Sequence, residues 1–259
     1  MTIPTLSQVT VTLTDHVATI EFSCDTFNYL SVDLMQELVR AWEWADAEIQ
    51  CRAIVLCSAG RVFCAGVDFR SMAGADGDSS PRPLYQLALR LLAGRKPCIV
   101  AVQGAAVGAG LGLAMLADQR VAGPKTQFNA SFVQLGFHAG FGLTATLPHV
   151  MGPHAASNML LLGQPVRGED ALRLGLADVL VDDVEGVRDA ALTRARAIAA
   201  NAPQAVQDMR KNLRAPLLAA FAQAVEQELN AQLSHMKTQD FIEGISAMMS
   251  KRPPQFTGA

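Results

Sequence analysis

Two glycine-rich stretches constrain this chain more than anything else in it: residues 60–69 (Gly-Arg-Val-Phe-Cys-Ala-Gly-Val-Asp-Phe) and residues 104–112 (Gly-Ala-Ala-Val-Gly-Ala-Gly-Leu-Gly). Each follows an uninterrupted apolar run, 53–57 and 98–102, with the length and β-branched content of a buried strand. The second stretch opens into a helical pattern at 113–117. Glycine at such turns lets backbone N–H groups come close to a ligand, and a helix start adds its positive dipole end. Brought together, two such turns can aim two N–H donors at one developing oxyanion.

The flanking patterns set the frame around these turns. Runs at 9–13 and 17–22, separated by Thr14, Asp15 and His16, predict a hairpin. Ser31 is placed to cap a helix to Ala47 with Leu34, Met35, Leu38, Val39 and Trp42 on one face. A loop is expected over 71–83, where Gly, Asp, Ser and Pro mix, then a helix over 84–92. Short strands are expected at 119–122 and 126–129, followed by helical segments over 142–174 broken at Gly152-Pro153 and Gly163-Gln164-Pro165. A last strand at 178–181 precedes a helical run over 186–249, punctuated at Pro203 and Pro216. Strands mixed with helices and then helices alone make an α/β fold with a helical appendage, a doubly wound sheet remaining open.

Composition narrows the function classes. At 259 residues the chain can form one large core, or one domain with a small appendage. Half of its residues are hydrophobic and 17% charged, which argues against disorder. The net charge of −3, with scattered bases, argues against nucleic acid as a partner. Cys24, Cys51, Cys57, Cys64 and Cys98 contain no Cys-x-x-Cys pair, and no signal-peptide pattern precedes them. They are expected to be reduced thiols in a cytoplasmic protein. The apolar window 99–117 contains Gln103 and four glycines and lacks a charged belt, which favours buried elements over a membrane span.

Other motifs fall short. Gly108-Ala109-Gly110 begins a dinucleotide fingerprint, but Leu113 stands where its last glycine belongs. His149 and His154 are five apart beside Pro148 and Pro153, a spacing that spoils a helical metal pair, so no metal site is expected. His16 and His235 are expected to be solvated, and Ser131 has no His–Asp partner nearby in sequence.

The two turns, Phe128 and the run Gly136-Phe137-His138-Ala139-Gly140-Phe141-Gly142 together resemble the crotonase (enoyl-CoA hydratase/isomerase) family, over nearly the whole chain. The family's Leu-Gly-x-x-Pro-Gly-x-Gly-Gly is met there except for Ala139 at the proline and Leu143 at the last glycine. The resemblance implies a crotonase-type spiral of ββα repeats over 1–200 holding an acyl-CoA site. It further implies a helical trimerisation part over 201–259, giving a homotrimer or hexamer. Coenzyme A would enter as part of the thioester, with no separate cofactor.

By matching position, the resemblance implies the backbone N–H groups of Val67 and Ala109 as oxyanion donors, in turns shaped by Gly66, Asp68, Gly108 and Gly110. Arg70 and Lys251 match basic positions that meet the cofactor in relatives, the second from a neighbouring subunit; an ordinary solvated base is the equal alternative for both.

The family's hydratases carry two glutamates where this chain has Gly112 and Phe132. Neither residue moves a proton, and Phe132 would make the acyl end of the site apolar. His138 is the one titratable side chain in 136–142, and an ordinary histidine titrates near pH ~6.5, so it is the candidate proton carrier; a packing role is the alternative. Tyr85 and Glu243 lie in segments that reach the acyl pocket in some relatives, and are expected to be bystanders. The expected activity is enolate chemistry of a lyase or isomerase: isomerisation, decarboxylation or slow hydration. The competing expectation is a non-catalytic acyl-CoA-binding protein, and a third class is an interaction protein without ligand.

Overall fold

The computed structural model describes residues 1–68 and 80–259; Phe69, Arg70 and most of the loop expected at 71–83 lie outside the described residues. Strands β1 (Val9–Thr14) and β2 (Val17–Phe22) form the expected antiparallel hairpin. Its turn places Asp15 and His16 at φ 52° and 64°, the left-handed pair that matches the twist of two-residue hairpins. In α1 (Val32–Ala47), Ser31 accepts a hydrogen bond from the Leu34 amide at 3.1 Å, the cap its sequence position predicts.

Then come β3 (Ala53–Ser58), α2 (Arg82–Leu92), β4 (Cys98–Val102), β5 (Ala105–Val107), α3 (Ala109–Met115), β6 (Gln119–Ala122) and β7 (Gln127–Asn129). A 3-10 turn (Ser131–Leu135) leads into α4 (Leu143–Met151), α5 (Pro153–Leu162), β8 (Val166–Arg167), α6 (Gly168–Arg173), β9 (Val179–Leu180) and α7 (Gly186–Ala199). The chain closes with α8 (Pro203–His235) and α9 (Gln239–Met249).

The larger sheet has the order β1-β2-β3-β4-β6-β9, parallel after its first pair, and a smaller sheet has the order β5-β7-β8. Topology shows the repeat that the sequence hides. β4 lies in the large sheet, β5 in the small one, and α3 follows; β6 and β7 repeat the step into a helical segment. β3 begins the same way, because Cys64 bridges Ala106 of β5 before the chain reaches α2. The fold is therefore a ββα spiral with a helical C-terminal part.

Both faces of the large sheet are buried at its central strands β3 and β4, whereas the edge strand β1 exposes one face. Ile54 and Leu56 of β3 enter the main core, whereas Ala53, Val55 and Cys57 enter a second cluster under α7. There Val187, Ala191, Ala195 and Ala199 make a small-residue stripe at four-residue spacing, which lets the helix lie close on the strands.

The helical C-terminal run is not broken where expected. Pro203 is the first residue of α8, but Pro216 lies inside that 33-residue helix. An interior proline costs about 3 kcal/mol by removing a ladder bond and crowding the preceding turn. Leu217, Phe221, Val225 and Leu229 repeat every four residues just after it and all are buried. Each buried side chain of this size contributes about 1.5–3 kcal/mol, so packing outweighs the break. Before the proline, Arg210 and Arg214 pair with Asp118 at 2.8 and 2.5 Å, and Asp118 also accepts from the Cys98 amide at 2.7 Å. The helix is thus clamped on both sides of Pro216.

Candidate functional site

The two glycine turns meet. Cys64 donates from its amide to the Ala105 carbonyl and accepts from the Val107 amide, both at 3.0 Å, so the first stretch lies along the second. This contact demands glycine at two positions. A Cβ at Gly110 would strike the Cys64 carbonyl, and one at Gly66 (φ 86°) would sit 2.8 Å from the Val107 carbonyl oxygen. The same Gly66 position is 3.6 Å from the Ala109 nitrogen, which sets the amide after Gly66, that of Val67, beside the start of α3. Gly108 turns the chain there at φ 54°, ψ −118°, its amide held by the Asn129 carbonyl at 2.9 Å. Among the described residues, neither the Val67 nor the Ala109 amide donates a turn, loop or cap hydrogen bond. Helix α3 begins at Ala109, four residues earlier than the sequence pattern indicated.

Aromatic rings wall the second turn. Phe132 carbons lie 3.7 and 3.9 Å from where a Cβ on Gly108 would be. Phe132 meets Phe137 edge-on at 5.4 Å between centroids, and Phe137 meets Phe241 of α9 at 5.3 Å. On the next turn of α3 a Cβ at Gly112 would fall 2.5, 2.7 and 2.8 Å from Phe141 carbons. Phe141 therefore fills the space a side chain at 112 would need. It does so from a left-handed backbone, φ 61°, with its ring edge-on to Tyr85 at 6.1 Å.

The loop holding His138 is packed tightly against α2 and α8. Gly140 lies against the Tyr85 hydroxyl and Gln232, and Gly142 lies under the Phe221 ring. Tyr85 donates to Gln232 Oε1 at 2.5 Å, and Gln232 Nε2 donates to the His138 carbonyl at 2.8 Å. Burial pushes the Tyr85 phenol well above its ordinary value, with the nearby Glu228 adding to the rise.

Glu228 is the site carboxylate that sequence reading missed. It is fully buried and accepts from the Gly142 amide at 2.7 Å, the Thr144 amide at 2.8 Å and the Thr144 hydroxyl at 2.6 Å. Burial raises its carboxyl above the ordinary range, against these hydrogen bonds and the influence of His138. Its sequence signal is the seven-residue step from Phe221 along the buried face of α8.

His235 is not the solvated residue its sequence suggested. It is half-buried, with its ring 6.3 Å from that of His138. The recorded contacts of His138 run to Ala139, Gln232 and His235; the residue beside it, Phe137, is the one that reaches Phe132.

The remaining expected residues are spread out. Asp68 is half-buried beyond the first turn, and Lys251 sits exposed after α9 at φ 52°. Arg70 lies outside the described residues. Glu243 pairs with Arg252 at 2.5 Å. Among the described residues there is no cluster of three His, Cys, Asp or Glu side chains suited to a metal ion, and no helix long and apolar enough to cross a membrane.

The spiral has counterparts among solved structures. The family model for enoyl-CoA hydratase/isomerase matches residues 12–259. The chain belongs to that family. It is 35% identical over 237 residues to 2,3-dehydroadipyl-CoA hydratase of Escherichia coli, covering 89% of this chain and 91% of that protein. To (E)-benzylidenesuccinyl-CoA hydratase of Thauera aromatica it is 29% identical over 269 residues, covering 97% and 99%. The solved structure of carnitinyl-CoA hydratase from Mycobacterium avium matches with a TM-score of 0.88 at 28% identity, covering 98% and 100%.

Proposed function

We propose that this member of the enoyl-CoA hydratase/isomerase family binds an acyl-CoA thioester with its carbonyl oxygen between the Val67 and Ala109 amides, and stabilises the enolate there. The observation that carries this reading is the contact of the two turns, with the Gly66 Cβ position 3.6 Å from the Ala109 nitrogen. One well-placed donor of this kind contributes about 3 kcal/mol to the transition state. Gly66, Asp68, Gly108 and Gly110 shape the turns, Phe132 faces the acyl group, and Arg70 and Lys251 meet the coenzyme A phosphates. His138 carries the proton. Its Nδ1 lies 2.7 Å from the Ala139 carbonyl, which leaves Nε2 with the lone pair of a base.

Phe132 and Phe141 keep the acyl end apolar, so isomerisation or decarboxylation is favoured over water addition, which proceeds slowly if at all. The relatives named as hydratases support water addition as the third member of that set. A homotrimer or hexamer in the cytoplasm completes the proposal. A second reading, a non-catalytic acyl-CoA-binding protein, is favoured by one observation: Phe141 occupies the space beside Gly112, opposite the carbonyl turn.

A pooled panel of enoyl-, β-keto-, malonyl- and aryl-CoA thioesters separates the two by mass-spectrometric turnover and thermal shift. Turnover of any member, reduced in His138→Ala, is the expected result. Stabilisation by thioesters without turnover supports the binding protein, and full activity of His138→Ala removes His138 from the mechanism.

A further inference from the structure

Helix α8 lays one stripe of its surface along the loop that carries His138. Phe221, Glu228, Gln232 and His235 follow one another at steps of seven, four and three residues, so they share a face. Phe221 covers Gly142, Glu228 holds the Gly142 and Thr144 amides, and Gln232 holds the His138 carbonyl. His235 ends the stripe with its ring 6.3 Å from the His138 ring and tilted 44° to it.

The two imidazoles are complementary. His138 faces a carbonyl with Nδ1, so in the neutral ring that nitrogen carries the proton and Nε2 does not. His235 Nδ1 is buried and has no partner among the described residues. Buried polar atoms ordinarily have one, and the neighbouring His138 ring is the polar side chain recorded beside it.

We propose that His235 is the positioning partner of His138, the two neighbouring imidazoles carrying at most one positive charge between them beside the acyl site. This rests on the reading that His138 carries the proton. In that reading the proton of the thioester α-carbon passes to His138 Nε2. Its bonding pair enters the enolate, and the proton returns to carbon when the enolate collapses. His235 fixes the ring and sets how readily it accepts.

Among the described residues, Glu228 on α8 is the ionisable side chain that acts on His138, and Tyr85 on α2 is joined to the loop through Gln232, whose Nε2 holds the His138 carbonyl. Asp240 of α9 lies nearby under Gly136 but turns its carboxylate to the Thr257 and Gly258 amides at 2.7 and 2.9 Å.

The test is a titration of the full chain labelled with carbon-13 at histidine Cε1, which gives five signals for its five histidines. In the unaltered protein the His138 and His235 curves should be linked, each bending where the other titrates. His235→Phe keeps the ring and removes the nitrogens; His138 should then titrate in one step. His235→Gln, which keeps a polar side chain, should unlink the curve in the same way and guards against a folding defect in the first variant. A His138 curve unchanged in both variants overturns the proposal.

A second arm follows exchange of the α-protons of butanoyl-CoA in D2O. His235→Phe should lower kcat several-fold and leave KM unchanged. Linked curves with no effect of His235→Phe on exchange overturn the positioning role. Linked curves with no exchange by the unaltered protein instead defeat the assignment of His138 as proton carrier and leave the pairing intact.

Discussion

The contact between Gly112 and Phe141 allows a double-mutant cycle whose sign is set by geometry. A Cβ at Gly112 would lie 2.5–2.8 Å from three Phe141 carbons, about an ångström inside ordinary contact. One of those carbons is Phe141 Cβ, which moves only with its backbone, and that backbone is already left-handed at φ 61°. Overpacking of this kind costs about 1–3 kcal/mol, and often toward the upper end where the backbone must move. Gly112 lies inside α3, where alanine gains about 1 kcal/mol of helix propensity. Gly112→Ala should therefore destabilise by about 1–2 kcal/mol, lowering Tm by about 2–8 °C.

Phe141→Gly empties a buried ring and should cost about 3–5 kcal/mol by itself. In that background all three clashing carbons, the Phe141 Cβ among them, are gone, so Gly112→Ala should become neutral or stabilising. The two changes should then couple by about 2 kcal/mol or more in urea unfolding. A Tm for Gly112→Ala at or above the parent value would refute the reasoning, because it would mean the ring does not hold that space. The same geometry predicts that Gly112→Glu gains no hydratase activity by itself. Gly112→Glu with Phe141→Gly, which also relieves the left-handed strain, is the variant in which a carboxylate has room.

Two further outcomes follow from the packing. Gly66→Ala drives a Cβ to 2.8 Å from the Val107 carbonyl at φ 86°, and should lower thioester turnover about 10²–10³-fold if the first turn carries a donor. Gly60→Ala, at φ 80° with nothing within 4 Å, is the control that should keep its turnover. Burial acts to raise the Asp118 carboxyl, but Arg214 and Arg210 outweigh it and hold the group below its ordinary value of 3.8. Asp118 thus contributes stability that is fully present above that value and is lost as pH falls through the lower folded one. Asp118→Asn should cost about 3–5 kcal/mol near neutral pH in urea unfolding and flatten the acid limb; an unchanged acid limb would refute the pairing.

Much of the fold was legible because it is written in short-range patterns. The hairpin at Asp15 and His16, the Ser31 cap and the buried runs of β3 and β4 each rest on residues within a few positions of one another. The glycine turns were legible for a steric reason, since a left-handed backbone at Gly66 and Gly108 and the close approach at Gly110 exclude other residues. Pro216 was misread because a local rule met a distant compensation: the core burial of Leu217 and Phe221 and the Asp118 clamp.

The sequence by itself determined the alternation of buried strand, glycine turn and helix, which leaves backbone amides at each turn. Periodicity and backbone sterics act within one element, so they can be read without knowing the neighbours. Only the tertiary structure decided what surrounds those amides. Glu228 reaches Gly142 across 86 residues, the Phe141 ring takes the space beside Gly112, and the last turn of α8 carries His235 to His138. A contact between elements depends on which faces meet and how closely glycine lets them approach, and no spacing along the chain records that.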